Sequence, residues 1–181
     1  VEYVMKMLDI RKEELIEGLE SVKQIQDGIA GALSGVVTRE HSLASMLTEI
    51  QKNLQTQGIE ITIAENGSVL RIPEHQLHFE LGKYNIPETY AKHANAIGKV
   101  ILQSLRSDEN RAMLDTVFIE GHTDSVTNFK EMGNWGLSTY RAISLWYFWT
   151  ESPRYLAELK QLTTIPADQG PPPNPLMSVR G

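Results

Sequence analysis

Asp124 and Arg141 are of types that together can grip a zwitterion. Asp124 closes the run Phe118-Ile-Glu-Gly-His-Thr-Asp124, in which an apolar stretch gives way to a polar exit; Arg141 follows Asn134-Trp-Gly-Leu-Ser138. A carboxylate accepts hydrogen bonds from an ammonium or holds backbone donors in place, and a guanidinium offers a planar fork to a second carboxylate. Asn134, Ser138 and Arg141 stand at i, i+4 and i+7, one face of a helix, so all three can point toward the loop after Asp124. The same charges also suit a plainer arrangement, a salt bridge between strand and helix that contributes roughly 0 to 1 kcal/mol.

Those residues need a strand and a helix to hold them. Residues 116–121 read as a short buried strand, and a helix is expected from Asn134 to about Thr150. Helical spacing buries Ala142, Leu145 and Trp149 on one face, so the cluster Trp146-Tyr-Phe-Trp149 reads as core rather than as a platform for stacking sugars. Upstream, Tyr90, Ala94, Ile97, Ile101 and Leu105 repeat at helical spacing after Pro87, a position where a first-turn proline is tolerated. Ile59, Ile61 and Ile63 alternate with Glu60, Thr62 and Ala64, Asn66-Gly67 meets the positive-φ demand of a tight turn, and Val69-Leu-Arg-Ile72 returns: a β-hairpin, ended by Pro73. Downstream, Ser152-Pro153 opens a further helical piece through Leu162, residues 166–175 form a proline-rich loop, and residues 176–181 look like the opening of another strand.

The first part of the chain is helical. With Val1 at heptad position a, the residues Val1, Leu8, Leu15, Val22, Ile29 and Val36 fall at successive a positions. The d row is mixed, with Val4, Ile25 and Ala32 apolar but Arg11 and Gly18 not. Such a helix can pair with its copy in a coiled coil, or lie against its own domain. Gly28, Gly31 and Gly35 each cost about 1 kcal/mol of helix propensity, so a break or bend is expected near Gly35. A second helix is then expected over residues 42–57, with Leu43, Met46, Leu47, Ile50 and Leu54 on one face and Gly58 as its stop. The division is a helical, coiled-coil-like segment over residues 1–57 and a domain over residues 58–181.

Composition excludes several classes. The chain has 181 residues, a formal net charge of −6 and no cysteine. No stripe of Lys and Arg is present to follow phosphates, so no nucleic-acid partner is expected. Disulfides and thiolate metal sites are excluded. No stretch approaches the roughly 20 apolar residues that span a bilayer. The chain opens on Val1 rather than Met, which leads to the expectation that residues upstream have been removed.

The ordered string Gly-His-Thr-Asp, then Asn-x-x-Leu-Ser-x-x-Arg-Ala, resembles the OmpA-like peptidoglycan-binding domain over residues 69–181, and the Asn134-Trp135 pair with its longer preceding loop is most similar to the B subunits of flagellar-type stators, the MotB branch. The resemblance implies an α+β fold, a small sandwich in which strand, helix, strand, helix and strand give a mixed sheet with helices on one face, its closing strand cut off by the chain end. It implies a ligand, the diaminopimelate of a peptidoglycan stem peptide, whose side-chain end bears both an ammonium and a carboxylate. Asp124 and Arg141 match the family's ligand-gripping pair; Thr123, Asn134 and Leu137 match its pocket-shaping positions, and Ser138 shares their helix face. The loop between Asp124 and Asn134 departs from the short family members in its length and lacks their early glycine.

The resemblance further implies a non-catalytic anchor: the periplasmic part of an inner-membrane protein whose membrane segment lies outside this sequence. Its partners would be peptidoglycan, a second copy of itself, and a polytopic A subunit of an ion-driven motor, serving flagellar rotation or a Zorya-type anti-phage defence. The alternative is a structural tether hung from an outer-membrane barrel or a lipid; a dimeric seam ahead of the domain suits a stator better. An enzyme acting on the wall is disfavoured, since no acid and base pair is framed and Ser138 lies inside a helix rather than at a strand-to-helix elbow. No cofactor is expected. His75, His78 and His122 with Asp124 can be drawn as a metal cluster, yet no His-Glu-x-x-His pattern occurs, and solvated or hydrogen-bonded histidines are the better reading.

Overall fold

The computed structural model of the chain describes residues 2–123, 132–151, 156–166 and 172–180, and the side chains within these apart from those of residues 2–13 and 66. The chain forms two compact units, Val1–His41 and Ser42–Gly181, and mixes helix with strand in an α+β arrangement headed by a long helix.

That helix, α1 (Glu2–Gln55), runs without a break, so the expected interruption near Gly35 and a separate helix over residues 42–57 are not found. Glycine lowers helix propensity but, unlike proline, keeps its N–H and clashes with nothing, so three spaced glycines weaken the hydrogen-bond ladder without cutting it. The helix stops where the sequence says. Gly58 takes a positive φ of 75°, its N–H reaches the carbonyl of Gln55 (3.0 Å), and Ile59 N–H reaches that of Leu54 (3.0 Å). This is the Schellman pattern, with its usual apolar contact supplied by the buried pair Leu54 and Ile59.

In the first unit the apolar stripe is open to solvent. Leu15, Val22 and Ile29 are 66%, 61% and 63% exposed, and Ile25, Leu33 and Val36 are exposed beside them.

The second unit takes its first core residues from the end of α1, where Met46, Leu47, Ile50 and Leu54 are buried. A hairpin follows: β1 (Thr62–Ala64) pairs antiparallel with β2 (Val69–Arg71) in the register Thr62↔Arg71, Ile63↔Leu70, Ala64↔Val69. The ladder is shorter than the alternation suggests. Ile59 and Ile61 are buried ahead of it, and the Ile61 carbonyl accepts from Gln51 Nε2 at 2.8 Å instead of from a strand. The turn is wider than a two-residue one, with positive φ at Glu65 and Gly67, and Ser68 N–H closes it onto the carbonyls of Ala64 and Glu65.

Helix α2 (Glu88–Leu105) begins after Pro87 as its spacing requires. A short helix the sequence reading did not anticipate, α3 (Asp108–Ala112), starts at Ser107, whose hydroxyl oxygen accepts from Asn110 N–H. Then come β3 (Val117–Glu120), α4 (Gly133–Thr150), a 3-10 helix (Ala157–Gln161) and β4 (Met177–Arg180). The helical piece expected to start at Ser152 begins outside the described residues, and its described part is a single tight 3-10 stretch, the usual form for so short a segment.

Strands β3 and β4 are parallel, in the register Val117↔Met177 to Glu120↔Arg180, with α4 in the connection between them. Parallel neighbours need such a crossover. Because α4 packs on both strands, β3 shows alternation rather than full burial: Ile119 is buried, whereas Phe118 and Glu120 are exposed. Among the described residues the strands form two separate two-stranded sheets, not the single mixed sheet expected. Each ladder is only three or four pairs long, and Pro73 prevents β2 from extending.

Trp149 joins the helices. It is buried, and its indole N–H donates to the carbonyl of Ala94 on α2 at 2.7 Å. Gly98, one turn along α2, makes room for the ring, since a Cβ there would lie 2.6 Å from Trp149 Nε1 and 2.7 Å from a Leu156 methyl. Burying an aromatic of this size is worth about 4–6 kcal/mol before chain entropy is set against it. At the end of α2, Arg106 grips Glu158 of the 3-10 helix with Nε and Nη2 (2.5–3.2 Å). That hydrogen bond holds the Glu158 carboxyl below, and the Arg106 guanidinium above, its ordinary pKa.

Candidate functional site

The site forms where β3 ends against α4. At Gly121 the chain passes so close to the helix that a Cβ would stand 2.1 Å from the Ser138 carbonyl oxygen and 3.0 Å from the Ala142 nitrogen. Both obstacles are backbone, so only glycine fits. This close approach carries His122 and Thr123 alongside the first turns of α4, and the His122 carbonyl accepts from Arg141 Nη1 at 2.8 Å.

The result is an open cleft of about 410 Å³ lined by residues of the β3 exit (Glu120, Gly121, His122, Thr123), of α4 (Asn134, Trp135, Ser138) and by Arg180 of β4. Of the sequence-predicted site residues, Thr123, Asn134 and Ser138 line it. Leu137 is buried behind it. Arg141 stands beside it, tied to the cleft wall through the His122 carbonyl. Asp124 lies outside the described residues; its neighbour Thr123 is the last described residue of the β3 exit.

The hydroxyl of Ser138 is committed within the helix, donating to the Trp135 carbonyl at 2.8 Å, where the Thr139 hydroxyl also donates (2.9 Å). Ser138 thus shapes the wall by being small and locally satisfied. Trp135 is 60% exposed at the rim, an unusual position for so large an apolar ring. Glu120 and Arg180 pair at 3.0 Å across the last register position of the parallel sheet, and the Arg180 guanidinium lies 4.0 Å from the centre of the Phe118 ring.

Sequence reasoning missed a third wall. Arg141 Nε donates to the carbonyl of Lys83 at 3.2 Å, and its guanidinium lies over the Phe79 ring, 5.2 Å from the centroid. Lys83 ends a turn whose N–H returns to the Glu80 carbonyl (2.9 Å), with Gly82 at positive φ (67°) in the third position, as a type II turn demands. Gly82 was the available signal for this turn; nothing in the sequence pairs Phe79 with Arg141. The Lys83 ammonium is hydrogen-bonded to Glu80, which holds the Glu80 carboxyl below its ordinary pKa. Its charge is therefore met locally by Glu80.

The histidines are spread out. His78 Nδ1 lies 2.7 Å from Glu74, His75 lies 3.8 Å from Glu60, and His93 Nδ1 lies 3.1 Å from the Gln76 carbonyl. Among the described residues no three His, Asp or Glu side chains converge on a point that could hold a metal ion. No protein-family model matches the chain, and no curated protein sequence matches it.

The close approach at Gly121 predicts a specific defect. Gly121→Ala must push β3 away from α4, and overpacking of this kind costs about 1–3 kcal/mol. Urea unfolding of the variant should show an unfolding free energy lower by that margin and hence a lower midpoint, with an unchanged slope.

Proposed function

We propose that the second unit binds peptidoglycan without cleaving it, gripping the diaminopimelate end of a stem peptide between Asp124 and Arg141, and that the fold is of the OmpA-like kind. The observation that carries this reading is the fixed guanidinium of Arg141, held by two backbone carbonyls from different loops beside a cleft that Thr123, Asn134 and Ser138 line. A guanidinium held in this way presents a planar, permanent cation to a carboxylate and cannot surrender its proton, which suits a clamp and suits general-acid chemistry poorly. The committed hydroxyl of Ser138 likewise supports binding over nucleophilic attack. The β3–α4–β4 unit, with the motif residues at the strand exit and on the first turns of α4, supports the family resemblance without matching its single sheet.

In this reading the chain is the periplasmic part of a membrane-anchored B subunit of a stator-like motor, flagellar or defensive, working with a polytopic A subunit. The exposed heptad stripe of the first unit supports a homodimer joined through α1, an arrangement that an outer-membrane tether does not require.

Purified cell-wall sacculi test the clamp. Asp124→Ala and Arg141→Ala should each weaken co-sedimentation at least roughly 30-fold, the loss expected when one partner of a desolvated charge pair goes. Arg141→Ala should also lower stability by about 1–2 kcal/mol, because the carbonyls of His122 and Lys83 lose a donor. Arg141→Lys is therefore the sharper variant: it keeps the charge, removes the fork, and should still bind poorly. Equal co-sedimentation of all four proteins would refute the clamp.

The dimer has its own test. Val22 is exposed in the single chain, so Val22→Asp should leave thermal unfolding of the second unit unchanged while sedimentation velocity shifts from dimer to monomer. A wild-type chain that sediments as a monomer at high concentration would contradict the seam.

A further inference from the structure

We infer that Phe79 and the turn from Glu80 to Lys83 are positioning elements for Arg141, setting the plane and direction of its guanidinium before any ligand arrives; this rests on the reading of Arg141 as the ligand's cation. Three independent contacts converge on that one side chain. The Phe79 ring lies under the guanidinium at 5.2 Å, inside the range at which a cation is attracted to an aromatic face. The Lys83 carbonyl takes the Nε proton and the His122 carbonyl takes one from Nη1, so the fork is fixed at two of its corners.

These partners come from opposite sides. His122 sits at the β3 exit, while Phe79 and Lys83 belong to the segment before α2, so the guanidinium is a bridge between two parts of the second unit. A long arginine side chain left free would have to give up its rotamer freedom on binding. Here that entropy is surrendered during folding, which raises affinity by preorganisation rather than by an added ligand contact.

The turn presents a backbone carbonyl to Arg141. Its N–H to carbonyl closure between Lys83 and Glu80 and the positive φ at Gly82 direct the Lys83 carbonyl toward Arg141, while the Lys83 ammonium is taken up by Glu80. The ammonium is thereby kept from competing with Arg141 for the same carboxylate. Phe79 is only partly buried and packs against the core on one side, so it has one face for stability and one for the guanidinium.

The test uses the full chain and two readouts. The first is calorimetric titration with a soluble tripeptide of alanine, glutamate and meso-diaminopimelate. Phe79→Leu should weaken binding roughly five- to tenfold, Phe79→Tyr should restore it by restoring a ring, and Phe79→Leu should cause no further loss when Arg141 is already Lys. The second readout needs no ligand: the NMR signal of the Arg141 Nε proton should exchange slowly with water in the wild type and in Phe79→Tyr, and quickly in Phe79→Leu. If Phe79→Leu fails to fold, Gly82→Ala serves, since a side chain at that φ strains the turn and should loosen the same proton. Wild-type binding with no loss in Phe79→Leu, an equal loss in the Arg141→Lys background, or an Arg141 proton indifferent to Phe79 and Gly82 would each overturn the inference. A wild type that does not bind the tripeptide defeats the peptidoglycan reading instead, and the proton exchange still decides the role of Phe79.

Discussion

Strand β3 can leave its sheet only by passing over the backbone of α4 with no side chain between them, because the Ser138 carbonyl oxygen occupies the space a Cβ at position 121 would need. Much of the candidate site follows from that contact. It fixes the distance between the strand exit and the helix, sets His122 where its carbonyl meets Arg141, and leaves an open cleft flanked by Thr123 on one side and Asn134 on the other. A bulkier residue at 121 would widen the gap and carry the His122 carbonyl away from the guanidinium.

The rest of the second unit keeps α4 from yielding to that pressure. Trp149 near its far end is pinned to α2 by a buried hydrogen bond and by the space that Gly98 leaves for its ring. The 3-10 helix is tied back to the end of α2 through Arg106 and Glu158, and its Leu159 is completely buried, as is Leu176 ahead of β4. Strand β4 is drawn in by Leu176, whose N–H reaches the Leu162 carbonyl and whose carbonyl accepts from Val117. Helix α4 is thus held against α2 and against both strands of the parallel pair, and the cleft opens at the one end where its first turns face the strand exit.

Much of this was legible in residue types. Gly58 marked the end of α1 because only a positive φ allows the closing hydrogen bonds, and the spacing of Ala142, Leu145 and Trp149 marked the buried face of α4. The continuity of α1 through Gly28, Gly31 and Gly35 was not, because propensity reports the cost of each glycine and says nothing of whether the ladder survives it. Helix α3 is a single turn started by a serine cap, too short for a periodic signal. The environment of Arg141 was hidden for a different reason: Lys83 lies 58 residues away, and its contact is made by a backbone carbonyl, which every residue type carries. Local chemistry showed which side chain bears the charge, and only the fold shows what holds it.

In the proposed function Arg141 serves as the cation for a ligand that carries its own carboxylate beside an ammonium. Calorimetric titration of the wild-type chain with two stem tripeptides, one ending in meso-diaminopimelate and one in lysine, isolates that feature, since the two share the ammonium and differ in the side-chain carboxylate. The diaminopimelate peptide should bind at least roughly tenfold tighter, the discrimination expected from a fork left without its carboxylate. Equal affinity for both peptides, or tighter binding of the lysine form, would contradict it.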